Sequence, residues 1–179
     1  MKREFEDEQF GRAAKVARCV TIADVYTKTL EARLTCPREA VFKFEHPTTS
    51  YGFETGHAYN RDDGLLAVTV TLNLLAHDEQ DGMEVEVQPA IFSVDIEIVV
   101  QYRFDADDAV EADLDALFKD FASVNGVYNA WPYLREAVSS VTSRMGIPPY
   151  TLPVLHLVKA AKPAPAAPLQ PQESTKDPS

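Results

Sequence analysis

The sequence predicts an α+β domain: a four-stranded antiparallel sheet followed by two packed helices, with a short helix ahead of the sheet. Three observations predict it. Apolar and polar residues alternate with period 2 through much of residues 20–104. Apolar residues then recur at helical spacing over residues 110–145. The chain, at 179 residues, is long enough for one core.

Residues 8–18 read as the short helix, with Phe10, Ala13, Ala14 and Ala17 on one side. From Val20 the period becomes 2, placing Val20, Ile22, Tyr26, Leu30, Ala32 and Leu34 on one face of a first strand that Pro37 ends. Ala40, Phe42 and Phe44 alternate with Val41, Lys43 and Glu45 as a short second strand stopped by Pro47. Residues 46–64 read as a polar, glycine-bearing loop. The third strand sets Leu66, Val68, Val70, Leu72 and Leu74 against Ala67, Thr69, Thr71 and Asn73. His77 to Gly82 reads as a hairpin connection.

In the fourth strand, Met83, Val85 and Val87 are apolar at odd positions. After Pro89 the apolar set moves to Phe92, Val94, Ile96, Ile98, Val100, Tyr102 and Phe104. A phase flip at a proline predicts a β-bulge or bend, because one extra residue re-aims every later side chain. The first packed helix carries Val110, Leu114, Leu117, Phe118 and Phe121 as its stripe, with aspartates toward its start, where the helix dipole favours them. Asn125-Gly126 reads as the break before a second helix, in which Pro132 suits the first turn and Leu134, Val138, Val141 and Met145 form the apolar face. Gly146 suits the position just past its end. The pattern decays beyond His156, and residues 163–179 contain five prolines and no aromatic residue, so a disordered tail is expected. The expected organisation is an N-terminal arm and helix over 1–18, the main domain over 19–158, and the tail over 159–179.

Composition excludes some functions. Hydrophobic residues make up 45% and charged residues 25%, a soluble globular balance, and the formal net charge is −11. Such a surface repels phosphate backbones and anionic membranes and favours basic partners. No run approaches the ~20 apolar residues of a membrane span. The N-terminus MKREFEDEQF has no signal-peptide apolar region, so a cytoplasmic protein is expected. If Cys19 and Cys36 flank one strand, 17 residues at ~3.3 Å each hold them roughly 50 Å apart, too far for a disulfide.

Catalytic and metal-binding patterns are thin. There is no G-x-S-x-G, P-loop or H-E-x-x-H. His57 with Asp62 and Asp63, and His77-Asp78-Glu79, fall in predicted loops and read as solvated surface. His156 follows a Leu-Pro-Val-Leu run and reads as packed or exposed. The acidic stretch Asp105–Asp120 lacks the central glycine and ligand alternation of a calcium loop. No enzyme activity, cofactor or metal is expected. A rival of another class is a small-ligand-binding or hot-dog-like thioesterase domain, which would use one deep pocket with a placed carboxylate.

The stretch WPYLREAVSSVTSRMGIPPYTLPVLHL, from Trp131 to Leu157, resembles the C-terminal half of the SecB family of protein-export chaperones, whose signature reads roughly Phe-Pro-Tyr-x-Arg-Glu, helix, Arg-Gly-x-Phe-Pro. VYTKTLEA (Val25–Ala32), VTVTLNL (Val68–Leu74) and EVQPAIFSV (Glu86–Val94) resemble the family's first, third and fourth strands. The resemblance implies an ATP-independent holdase, a homotetramer built as a dimer of dimers, which keeps precursor polypeptides unfolded and hands them to the motor SecA. By that resemblance Ala40, Phe42, Phe44 and Trp131 line the client groove, although by pattern alone the two phenylalanines and the tryptophan read equally as core. Leu134, Val138 and Val141 would face another subunit, and Glu84 and Glu86 would dock the motor.

Three departures qualify this. Thr29 and Arg33 stand where the family carries motor-binding carboxylates, so SecA docking is expected to be weakened. The Pro-rich tail replaces the family's last helix, and an extra helix precedes the first strand. These features resemble the divergent SecB-like chaperones that protect an antitoxin of a toxin–antitoxin system, the alternative client.

Overall fold

Alternation in the centre of the chain builds the sheet. In β4 (Leu65–Asp78) and β5 (Ala90–Phe104), the even-numbered residues from Leu66 to Ala76 and from Phe92 to Phe104 are all buried on one face. The computed structural model describes residues 1–44, 47–78, 90–105 and 113–160. Ahead of these strands lie β1 (Lys2–Phe5), α1 (Asp7–Ala17), β2 (Val20–Leu34), α2 (Arg38–Val41) and β3 (Pro47–Asn60); after them come α3 (Leu114–Phe121), α4 (Val127–Arg144) and β6 (His156–Lys159). The sheet order is β2-β5-β4-β3, all antiparallel, and β1 with β6 forms a separate parallel pair. The expected architecture, a four-stranded antiparallel sheet with packed C-terminal helices and a short N-terminal helix, is the one observed.

Strand membership differs from expectation at residues 40–60, and β1 and β6 are strands where none was expected. Residues 40–44 are not the second strand: Pro37 precedes the short helix α2, and Phe42 follows it, 64% exposed. The second strand of the four-stranded sheet, in chain order, is β3, inside the stretch expected as a loop. Its Tyr51, Phe53, His57 and Tyr59 face the core side, paired with Leu74, Leu72, Val68 and Leu66. Ser50, Gly52, Gly56 and Ala58 occupy the other face and give the segment its loop-like composition. Fourteen consecutive pairings with β4 override that composition.

Two bulges in β2, between Ile22 and Asp24 and between Thr27 and Thr29, each insert one residue. The phase therefore flips twice. Val25 and Thr27 join Ile22 and Leu30 on the helix side, while Tyr26, opposite Val99, turns to the outer face. The bend expected at Pro89 has a counterpart two residues later, where Ile91 is the extra residue opposite Ala76 and His77. Residues 83–87, which carry the first half of that phase flip, lie outside the described residues. His77, expected in a hairpin, closes β4 instead and is 3% exposed.

The helices also join differently. Asn125-Gly126 does not break the path; Ala122–Gly126 form one wide π-type turn that runs straight into α4. Helix α4 thus starts four residues before Trp131, and Pro132 is interior, with no N–H to offer the carbonyl of Tyr128. Gly146 does end α4, at φ 76°. Helix α1 begins where Gln9 accepts the N–H of Glu6 at 3.1 Å, and it is tied to α3 by Arg12, which pairs with Asp120 and, at 2.5 Å, with Glu8. The hydrogen bond to Asp120 raises the Arg12 pKa. His156–Lys159 form β6, and residues 163–179, expected as a disordered tail, lie outside the described residues. Among the described residues no helix is long and apolar enough to cross a membrane.

Candidate functional site

The start of α4 places one face on the core and leaves the other bare. Val127, Ala130, Trp131 and Leu134 are buried, whereas Tyr128 and Tyr133 are 59% and 49% exposed. Ile22 comes alongside from β2 and Val154 from the segment leading to β6, exposed at 49% and 57%. Around them runs an apolar groove of about 470 Å³ lined by Ile22, Tyr128, Trp131, Tyr133, Val154 and Leu155. A second groove of about 470 Å³ continues on the far side of Tyr128, between Phe10 and Ala14 of α1, Val124, and Leu157 of β6. Tyr128 is the ridge between the two.

The floor is held rigidly. Trp131 donates its indole N–H to the carbonyl of Pro153 at 3.2 Å, and its ring lies 5.5 Å from that of Phe53. Asn129 donates to the Tyr102 hydroxyl at 2.9 Å. Burial pushes the Tyr102 pKa up to about 12, against the opposite effect of that hydrogen bond, so the phenol is neutral under physiological conditions. A fixed apolar floor with adaptable aromatic rims suits burial of side chains from a flexible partner at ~25 cal/mol per Å².

The expected site residues are dispersed. Trp131 belongs to the groove as its floor. Ala40, Phe42 and Phe44 lie at the other end of α4, because Arg38 donates its Nε–H to the Gly146 carbonyl at 2.8 Å. At 1.5 Å per residue that end is roughly 22 Å from Trp131. Phe44 packs partly against the core. Leu134 and Val138, expected at a subunit interface, are fully buried in the core of the single chain, while Val141 is half-buried. Glu84 and Glu86 lie outside the described residues.

Thr29 and Arg33 sit on the outer sheet face, opposite Glu97 and Ser93. There Arg33 pairs with Glu31, and Lys28 with Glu97 at 2.9 Å. His57 meets Asp115 at 3.0 Å rather than Asp62 or Asp63, and no cluster of metal-ligating side chains occurs among the described residues. Ile22, Tyr128, Tyr133 and Val154 were not foreseen as site residues. The available signal was the pair of tyrosines flanking Trp131 off the apolar stripe.

No family model and no curated protein matches the chain. Its structure is similar to that of the Mycobacterium tuberculosis SecB-like chaperone Rv1957, solved in complex with a ChAD peptide from the HigA1 antitoxin Rv1956. The TM-score is 0.67 at 20% identity, over 82% of this chain and 97% of that one. A Streptococcus agalactiae protein of unknown function gives a TM-score of 0.38 at 13% identity, over 75% of this chain and 97% of that one. The fold of this chain is SecB-like.

Proposed function

We propose that this protein is an ATP-independent holdase that buries exposed apolar segments of unfolded polypeptides in the groove at the start of α4. The observation that carries the reading is the cluster of Ile22, Tyr128, Tyr133 and Val154, four large apolar or aromatic side chains each about half exposed around one groove. Such a cluster on a chain of net charge −11 stays soluble yet remains sticky to apolar sequence. The SecB-like fold supports the same reading.

The antitoxin of a toxin–antitoxin system is the favoured client, because the structurally similar Rv1957 holds an antitoxin peptide. Service to general export is the second reading. The pairing of Arg33 with Glu31 and of Lys28 with Glu97 reduces the negative field of the outer sheet face, which weakens docking of a basic motor such as SecA. Glu84 and Glu86 would be the remaining acidic contacts. We propose a cytoplasmic homotetramer, near four times 19.9 kDa, that works without cofactor or metal. Phe42 and its neighbours Ala40 and Phe44 would form a second contact for a long client.

The test is suppression of aggregation of a chemically unfolded, unrelated protein without nucleotide, with the complex weighed in solution. Stoichiometric suppression is expected. A chain that leaves aggregation unchanged and behaves as a strict monomer would remove the holdase reading. Hydrolysis of an acyl thioester would instead favour the hot-dog-like alternative.

A further inference from the structure

Strand β1 is four residues long and, among the described residues, pairs only with β6, in parallel register from Lys2–His156 to Phe5–Lys159. Two-stranded sheets are marginal in water, and parallel pairing is the weaker kind. The backbone connections at the ends are His156 N–H to the Met1 carbonyl at 2.8 Å and Ala160 N–H to the Phe5 carbonyl at 2.7 Å. The terminal ammonium donates to the Val154 carbonyl at 2.8 Å.

Two alternate side chains anchor the strand. Phe5, 7% exposed, packs with Ala13 and Val124 and meets Phe10 edge-on at 5.6 Å. Arg3 holds its guanidinium 5.3 Å from the Phe5 ring and 5.9 Å from the Phe53 ring, the ring that backs Trp131. Its Nη1 is buried without a hydrogen-bond partner among the described residues, and burial lowers the Arg3 pKa. A buried donor without an acceptor is a cost that the seated strand carries. Lys2 and Glu4 point outward and pair with each other at 2.6 Å.

These are the contacts a foreign extended chain makes by strand addition: backbone bonds for affinity and alternate side chains for selectivity. Position also fits. The strand partner β6 contributes Leu157 to the second groove, and the residues just before it, Val154 and Leu155, line the first. A segment seated on β6 therefore runs beside both grooves.

We propose that the place of β1 is itself a client site, one that takes an extended segment with a basic residue two positions before an aromatic one, and that residues 2–5 fill it until a client displaces them. This deepens the holdase reading and rests on it. The cation lies over aromatic rings, and the acidic protein draws basic segments toward it.

The experiment locks the strand. In a Cys19→Ser/Cys36→Ser background, Lys2→Cys with His156→Cys sets two thiols on directly opposed, solvent-facing positions. Reduced, carboxymethylated α-lactalbumin serves as the permanently unfolded probe. Oxidation is expected to weaken probe binding at least tenfold, and reductant to restore it. A chain lacking residues 2–5 is expected to bind the probe about threefold or more tighter than the full chain. It should also take up the synthetic peptide KREFEDEQ at least tenfold better than a peptide with Arg and Phe replaced by Ser. Equal binding by the oxidised and reduced forms overturns this proposal and leaves the holdase reading intact. A truncated chain that folds yet binds the probe more weakly overturns it too. Probe binding by none of the forms overturns both readings. If truncation unfolds the chain, the oxidised and reduced pair decides.

Discussion

Gly126 is where α4 is pinned to the sheet, and replacing it measures how tightly. A Cβ at this position would lie 2.5 Å from Val68 Cγ1 and 3.6 Å from Val68 Cβ. Carbon atoms settle at about 3.5–4.0 Å, so Gly126→Ala demands a shift of roughly 1 Å. Neither side yields easily: Val68 is fully buried in β4, between β3 and β5, and Gly126 lies in the π-type turn that opens α4. Overpacking costs about 1–3 kcal/mol, here about 2–3 because neither side yields, and the better helix propensity of Ala returns about 1 kcal/mol. The net expectation is a loss of about 1–2 kcal/mol in urea-induced unfolding.

Val68→Ala alone removes buried methyl groups and leaves a cavity, for a loss of about 2 kcal/mol. In the double variant the new methyl partly fills the space left by the old ones. The two effects should then fall short of additivity by about 1–2 kcal/mol. Gly126→Ala as stable as the parent or more so, or strict additivity in the double variant, would refute the close approach. The same variant shifts Tyr128, two residues on, so weaker client binding should accompany the lost stability.

Tyr128→Ser with Tyr133→Ser should lower affinity for an unfolded client about tenfold in equilibrium binding, at a stability cost near the ~0.5 kcal/mol of surface changes. Trp131→Ala, at 6% exposure, should instead cost about 3–5 kcal/mol by calorimetry, which separates floor from rim. Tyr102 ionises at about 12 in the folded chain and near 10 when unfolded, so the neutral form is favoured by folding. Its contribution, on the order of 2–3 kcal/mol, is fully present below pH 10 and lost as pH rises toward 12; in alkaline denaturation Tyr102→Phe should flatten that slope. Arg12→Met leaves the buried Asp120 carboxylate without its cation, so amide exchange in α1 should accelerate, and adding Asp120→Leu should slow it again.

The sequence made the central strands and the packed helices legible because their burial is periodic. Leu66 to Leu74 and Phe92 to Phe104 face one core, and no competing pattern obscures them. Strand β3 was hidden because its outward face is Ser50, Gly52, Gly56 and Ala58, residues that also make loops. Its aromatic face, Tyr51, Phe53 and Tyr59, repeats at the strand period but is diluted by Thr and His. The bulges of β2 carry no composition signal, so Tyr26 could not be told from its neighbours. Pairing of β1 with β6 joins residues far apart in the sequence and exists only through tertiary contact.

For the site, Trp131 reads from the pattern as core and from the resemblance as groove lining, but the side chains that surround it in the groove are not legible. The groove needs Ile22, Tyr128 and Val154 brought together from three elements. The phenylalanines Phe42 and Phe44 were drawn into a strand by their spacing alone, where Pro37 and a four-residue helix prevail.

The central claim is that unfolded chain lies along the start of α4, and amide hydrogen exchange of the protein with and without a saturating unfolded client tests it most directly. Added protection over residues 22–25, 127–134 and 150–158, with the outer-face backbone around Asn73 and Asp95 unchanged, is the predicted result. Protection confined to the outer sheet face, or none at a client concentration that saturates binding, would contradict the account.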